Sequence, residues 1–402
     1  MRHLTAALAG FVFAALLLFG LWAFRPWSET SPAEVIWLSR APDRTAPYRA
    51  MEETYPYLPI AASPTPYTFP RDVRALGASW DRDGERRTVE DYVAERAVTG
   101  LMVVHDGTVV FERYYRGETP GDRHTSWSVA KSMIATLIGR ALMEGRIESL
   151  DDTAETYAAD YEGTDYGATK IRDLLAMSSG IGFNENYEET GSDIRKLFLN
   201  TFIFQRDIDG EVRRYRRVKP AGGAFEYLSP NTAVLAAVLR GAYGGRSVAS
   251  LAEEKVVAPL GMGAGSWLTD RHGRGAKVLG YCCLQLRLED FAKLGQLYLQ
   301  GGVVGTERVI PADWPAYVST PPRPSHAPGG ALPPSELGYG AHFWIAGEGS
   351  AYFMMGYNGQ MVWIDPERRV VIAMTGADRT FDTSEFEAAS LMRALASAAA
   401  GR

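Results

Sequence analysis

Two β-rich runs, residues 100–105 and 108–115, meet at Asp106-Gly107. Asp-Gly between such runs predicts a tight hairpin, because both residues tolerate the positive φ that a two-residue turn demands. More strands are predicted far along the chain, at 340–345, 360–364 and 370–375, with 365–369 as the turn between the last two. The residues between these two sets are helical or mixed. Strands early and late share one sheet only if the intervening chain leaves it and returns. The expected class is therefore α/β (α+β): a central antiparallel sheet flanked by helices, with a helical subdomain inserted at about 147–260.

One helix stands out. Met133, Ile134, Leu137, Ile138, Ala141 and Leu142 follow Ser128 at helical spacing, and Gly145 is a plausible stop. The run is apolar on most sides, which predicts a central, buried helix. Further helices are expected at 169–175, at 232–239 with Asn231 or Thr232 as its cap, at 288–300 and at 385–398.

The ends and the composition narrow the setting. Residues 4–24 form an uncharged apolar run, preceded by Arg2 and His3 and followed by Arg25-Pro26-Trp27. That length suits a membrane-spanning helix, and the aromatics near its end suit an interfacial belt. An uncleaved anchor in the inner membrane is preferred over a cleaved signal, with the bulk of the chain on the periplasmic side. Residues 25–85, rich in Pro, Ser, Thr and Arg, read as a linker and irregular wrap, and 86–398 as the folded domain. The net charge of -6 and the single short basic block, 213–217, argue against nucleic acid as a partner. Six scattered histidines give no metal-ligand spacing, and no cofactor is expected. Cys282 and Cys283 are adjacent, too close for an unstrained disulfide, so core packing is their expected role.

Chemistry is concentrated at Ser128-Val129-Ala130-Lys131. Residues three apart share a helical face, so the Lys131 amine can reach the Ser128 hydroxyl. A serine hydroxyl needs a base to take its proton, and a buried lysine can supply one. Tyr227, in 225–232, is the candidate third member, able to approach phenolate near cations and exchange protons with the serine or the leaving group. Ser229 can bond the lysine or the substrate. Gly356-Tyr357-Asn358-Gly359-Gln360 opens a late strand, where a glycine lets a ligand approach the backbone. The Gln360 and Ser128 amides are the expected oxyanion donors.

These segments together resemble the serine β-lactamase/penicillin-binding-protein superfamily, over roughly residues 95–395. The markers are 126–132 with the S-x-x-K motif, then 171–180, 258–262 and 288–290. The Trp-Ser-Val-Ala-Lys-Ser form and 183–187 look closest to class C-like serine hydrolases of the 6-aminohexanoate-dimer hydrolase type. The resemblance implies a β-lactamase/transpeptidase-like fold and a substrate contact from Tyr187; Tyr357, Asn358 and Gly359 join it as substrate-side candidates. Two departures stand out: Tyr227-Leu228-Ser229 replaces Tyr-x-Asn, and Tyr357-Asn358-Gly359 replaces Lys-Thr-Gly or His-x-Gly. The missing cation removes the usual partner of a β-lactam carboxylate. The expected activity is hydrolysis of a small ester or amide through an acyl-enzyme on Ser128. D-amino-acid peptidase or β-lactam chemistry, and a non-catalytic sensor, stay open as alternatives. Loops near 182–225 and 315–340 are expected to set specificity.

Overall fold

The computed structural model describes residues 2–25, 31–330, 336–381 and 385–401. Its centre is a seven-stranded sheet in which every neighbouring pair is antiparallel. Two early strands, β2 (Val98–His105) and β3 (Thr108–Tyr114), form one edge. The late strands are β7 (Gly338–Tyr339), β8 (Trp344–Ile345), β9 (Tyr352–Gly356), β10 (Gln360–Asp365) and β11 (Val370–Gly376). The order across the sheet is β7-β8-β9-β10-β11-β2-β3, so β11 pairs with β2 and joins the two sets.

Both faces of the sheet are covered, which follows from the period-two placement of side chains. Met102 and Val104 of β2, Val362 and Ile364 of β10, and Val371 and Ala373 of β11 point into one core. Leu101 and Val103, Met361 and Trp363, and Ile372 and Met374 point into the other. The first core holds α4 (Val129–Met143) and α7 (Leu288–Leu299). The second holds α8 (Glu385–Ala399). Strands buried on both faces read as continuous apolar runs, as these do. Helix α7 lies close against the sheet: a Cβ on its Gly295 would meet Val371 and Val362 at 2.7 and 2.8 Å.

The helical insert is present, and its main helix is α6 (Ser229–Ala242). This helix starts earlier than its sequence suggests. Ser229 is its first residue, so Asn231 and Thr232 lie inside it and are fully buried rather than capping. Of the predicted strand at 340–345 only Trp344–Ile345, β8, is strand; the residues before it turn back from β7, with His342 at a φ of 60°. The strand β9 was not foreseen.

The N-terminal part is more ordered than a linker. After α1 (Arg2–Phe24) come α2 (Pro32–Arg40) and α3 (Thr45–Arg49), then β1 (Tyr57–Ile60). β1 edges a second sheet of order β1-β5-β6-β4, completed by β4 (His124–Thr125), β5 (Gly265–Leu268) and β6 (Leu284–Leu286). Helix α1 contains a 20-residue stretch, Thr5–Phe24, of mean hydropathy 2.3, long and apolar enough to cross a membrane. Pro26 and Trp27 of the expected belt lie outside the described residues.

Cys282 and Cys283 pack in the core as expected, 2% and 0% exposed, but the structure also joins them in a disulfide, which corrects the reading that adjacency excludes one. The left-handed backbone of Cys283, φ 72°, lets neighbouring residues close this small ring.

One buried charge cluster supports α7. Asp290 is fully buried and accepts from Arg287 at 2.8 Å and Lys293 at 3.0 Å. Lys293 is itself only 3% exposed. Removing the carboxylate strands a buried ammonium, so Asp290→Ala should cost about 3–5 kcal/mol. Denaturant unfolding checks this; an unchanged midpoint with an unchanged slope would show that Lys293 finds its compensation elsewhere.

Candidate active site

The site begins where β4 turns into α4. Ser126 is stitched to β6 in both directions, its amide donating to the Leu284 carbonyl at 2.8 Å and its Oγ accepting from the Leu284 amide at 3.0 Å. Trp127 then takes a left-handed φ of 41°, uncommon for a bulky residue and of the kind that clusters at functional sites. Ser128 follows at the N-cap of α4 but makes no side-chain capping bond. Its hydroxyl is instead committed to Lys131, whose Nζ lies 2.9 Å from Oγ.

Lys131 is 1% exposed. Its Nζ also donates to the Ser229 Oγ at 3.2 Å and to the Tyr281 carbonyl at 2.9 Å. These three acceptors are neutral, and among the described residues no carboxylate pairs with it. Burial therefore disfavours the ammonium and lowers its pKa to about 7, against a smaller opposing pull from Glu185. Near neutrality a substantial fraction is free amine, with a lone pair facing Ser128.

The Tyr227 ring lies over the same ammonium, 5.0 Å from Nζ to the ring centroid. The expected alcohol, amine and phenol thus meet in one place. Tyr227 differs from expectation in its charge. Burial pushes its phenol above the usual tyrosine range, outweighing the Ser128 hydroxyl that pulls the other way. It holds its proton at neutral pH and is a donor, not a phenolate.

Ser229 bonds the lysine, one of the two roles foreseen for it. Its Oγ–H and N–H both donate to Glu185, the amide at 3.0 Å. The Tyr187 hydroxyl donates to the same carboxylate at 2.9 Å. Burial raises the Glu185 pKa, and Lys131 together with these donors offsets part of that rise. In the sequence Glu185 is marked only by lying within residues 183–187. Nothing in the chain order links it to Lys131; Ser229 at the start of α6 does.

The late hairpin departs most from its expected role. Asn358 is fully buried in a left-handed turn, φ 62°, and its Oδ1 accepts from the Tyr48 hydroxyl at 2.5 Å and from Arg44 at 3.3 Å. Its Nδ2 donates to the Asp378 carbonyl at 2.6 Å. A side chain so engaged ties α3 to the sheet and is not turned to a substrate. Gly359, φ 96°, makes the turn, and its missing Cβ would face Phe381. The Gln360 side chain bonds both backbone groups of Gly376, Nε2 at 2.6 Å and Oε1 at 3.1 Å. The backbone beside the nucleophile is that of Gly356: a Cβ there would meet the Ser126 carbonyl at 2.4 Å and the Ser128 amide at 3.0 Å. Tyr357, the next residue, stacks on Tyr187 with ring centroids 5.2 Å apart and meets Trp127 edge-on at 5.9 Å.

These three aromatics form one side of a cavity of about 720 Å³. Its other walls come from α2, α3, α5 (Asp193–Phe198) and the turn Leu199–Ile203. The segment first read as a linker therefore helps to build the site. Among the described residues no group of three or more His, Cys, Asp or Glu could hold a metal.

The chain and its fold have clear relatives. The 6-aminohexanoate-dimer hydrolase of Paenarthrobacter ureafaciens is 30% identical over 290 residues, 69% of this chain and 72% of its own. A Bacillus anthracis structure described as a 6-aminohexanoate-dimer hydrolase superposes with a TM-score of 0.80 at 22% identity, over 92% of this chain and 97% of the other. The penicillin-binding protein of Bacillus halodurans gives 0.57 at 16% identity, over 76% and 97%. The family model described as Beta-lactamase matches residues 86–397. The sheet that brings early and late strands together and the buried lysine on its serine are thus found in a chain that belongs to the beta-lactamase family, as a serine hydrolase.

Proposed function

We propose that this hydrolase cleaves an ester or amide bond of a small substrate through an acyl-enzyme on Ser128. The observation that carries the reading is the 2.9 Å contact between the Ser128 hydroxyl and a lysine amine with no carboxylate partner. The neutral amine of Lys131 takes the serine proton as Oγ bonds to the carbonyl carbon. The carbonyl oxygen gains charge and is held by two backbone amides. Ser128 supplies one. We assign the other to Tyr357 rather than Gln360, since Gly356 is the residue that abuts the Ser128 amide. Tyr227 gives its proton to the leaving oxygen or nitrogen and recovers one from the Lys131 ammonium. Water then attacks the acyl carbon, its proton passing to the same pair, and the acid leaves. Ser229 and Glu185 keep the lysine aimed.

The relative from Paenarthrobacter, an amide hydrolase by its name, favours amide or ester chemistry over penicillin recognition. So does the hairpin: residues 354–360 carry no cation to meet a β-lactam carboxylate, and Asn358 within them is buried and bonded inward. Helix α1 serves as an N-terminal membrane anchor in this reading, with the domain on the periplasmic side. A fluorophosphonate probe should label Ser128, and nitrophenyl esters or short amide oligomers should turn over while penicillins are neither opened nor retained. Failure to label, with a folded protein, returns the chain to the sensor reading.

A further inference from the structure

The end of α1 is not a free tether. Ala23 is buried, Trp22 stacks on Phe204 with centroids 5.9 Å apart, and Arg25 donates to the Ile203 carbonyl at 3.3 Å. The helix is thereby seated on Leu199–Ile203, the turn that walls the cavity; that cavity reaches Trp127, the residue before Ser128, while Ser128 itself is not among its lining. Around this seat large apolar side chains face outward: Ile36, Leu199 and Phe204 are 42%, 45% and 45% exposed. Ile36 and Leu199 also line the cavity.

The cavity has a polarity gradient. Val35, Phe198 and Phe202 line it within. Arg40, Arg195 and Arg379 also line it and are exposed, and the only carboxylate in the described lining is Glu188. Neither Arg40 nor Arg379 forms an ion pair with a described residue, and Arg195 donates only to the Tyr187 carbonyl at 3.3 Å. Exposed apolar side chains with interspersed arginines at the foot of a bilayer-length helix match the chemistry of an anionic lipid surface. Apolar walls that run to Trp127 and Tyr357, with cations at the exposed positions, match an acyl chain joined to an anionic head.

We infer that the cavity opens onto the bilayer surface and that its substrate is a single-chain acyl amphiphile with an anionic headgroup. This rests on the acyl-enzyme reading and on α1 being inserted in the membrane. The acyl carbonyl meets Ser128, the chain lies against the apolar wall, and the arginines take the head. Serine Oγ forms the new bond to the acyl carbon. The headgroup oxygen leaves with a proton, and water then releases the fatty acid.

The test uses the full chain in lipid nanodiscs. Three substrates are compared: lysophosphatidylglycerol, lysophosphatidylcholine and the soluble 4-nitrophenyl acetate. The anionic lysolipid should exceed the zwitterionic one in kcat/KM by at least about tenfold, roughly 1.4 kcal/mol of discrimination. The triple variant Arg40→Gln, Arg195→Gln, Arg379→Gln should bring that ratio toward one. Phe204→Gln should slow lysolipid turnover relative to nitrophenyl acetate several-fold. Equal rates for both lysolipids, or turnover of nitrophenyl acetate alone, overturn the inference and leave the hydrolase reading intact. Loss of all three activities removes the hydrolase reading, and this inference with it.

Discussion

Ser128→Ala lowers turnover of any ester or amide substrate by at least about a thousandfold, equivalent to about 4 kcal/mol of transition-state stabilisation. In the proposed mechanism this residue forms the covalent bond, so no neighbour should substitute for it. Ser229 shares the Lys131 amine, but it is fully buried and donates to Glu185. Residual rate from the oxyanion donors and binding alone is expected. Fold and stability should hardly change, because the hydroxyl makes no capping bond. Steady-state kinetics with a nitrophenyl ester, beside a thermal melt, checks both halves. Near-normal hydrolysis by a folded variant rejects the acyl-enzyme.

Lys131→Ala should cost about 10²- to 10⁴-fold in kcat, the range of a lost general base. Lys131→Arg should be no better, since a guanidinium stays charged and has no lone pair to offer. The wild type should carry the signature of this amine in its pH profile. With the Lys131 pKa lowered to about 7 by burial, activity is weak when the amine is protonated at lower pH and rises through neutrality as it loses its proton. Tyr227 keeps its proton over this range, so no second loss is expected until well into the alkaline region. Glu185→Gln removes an anion that favours the ammonium, and should move the rising limb to lower pH. A flat profile from pH 5 to 9 would show that an ordinary, permanently charged lysine stands beside Ser128. The shift with Glu185→Gln separates electrostatics from simple damage to the site, which lowers the rate without moving the limb.

Local pattern made much of this protein legible. The Asp106-Gly107 hairpin, the apolar spacing after Ser128 and the last two strands follow from periods of 2 and 3.6 and from turn chemistry. Those rules act between near neighbours, so they survive in the sequence. Ser128 and Lys131 were legible for the same reason, as one helical turn brings them together.

The other groups were set by tertiary contact. Glu185 and Ser229 lie 44 positions apart and meet only because α6 begins where the loop before α5 passes. Tyr48 reaches Asn358 across 310 positions, which turns a supposed linker into a wall of the site and a supposed substrate ligand into a tie. The change of oxyanion donor has a like cause. Glycine at 356 was visible in the chain, but that its backbone abuts Ser128 depends on how β9 packs against α4. The amino-acid order determined which elements form and which residues can do chemistry. Only the packed molecule decided which of them face one another and how charged they are, because burial and distance belong to the surroundings of a group and not to the group itself.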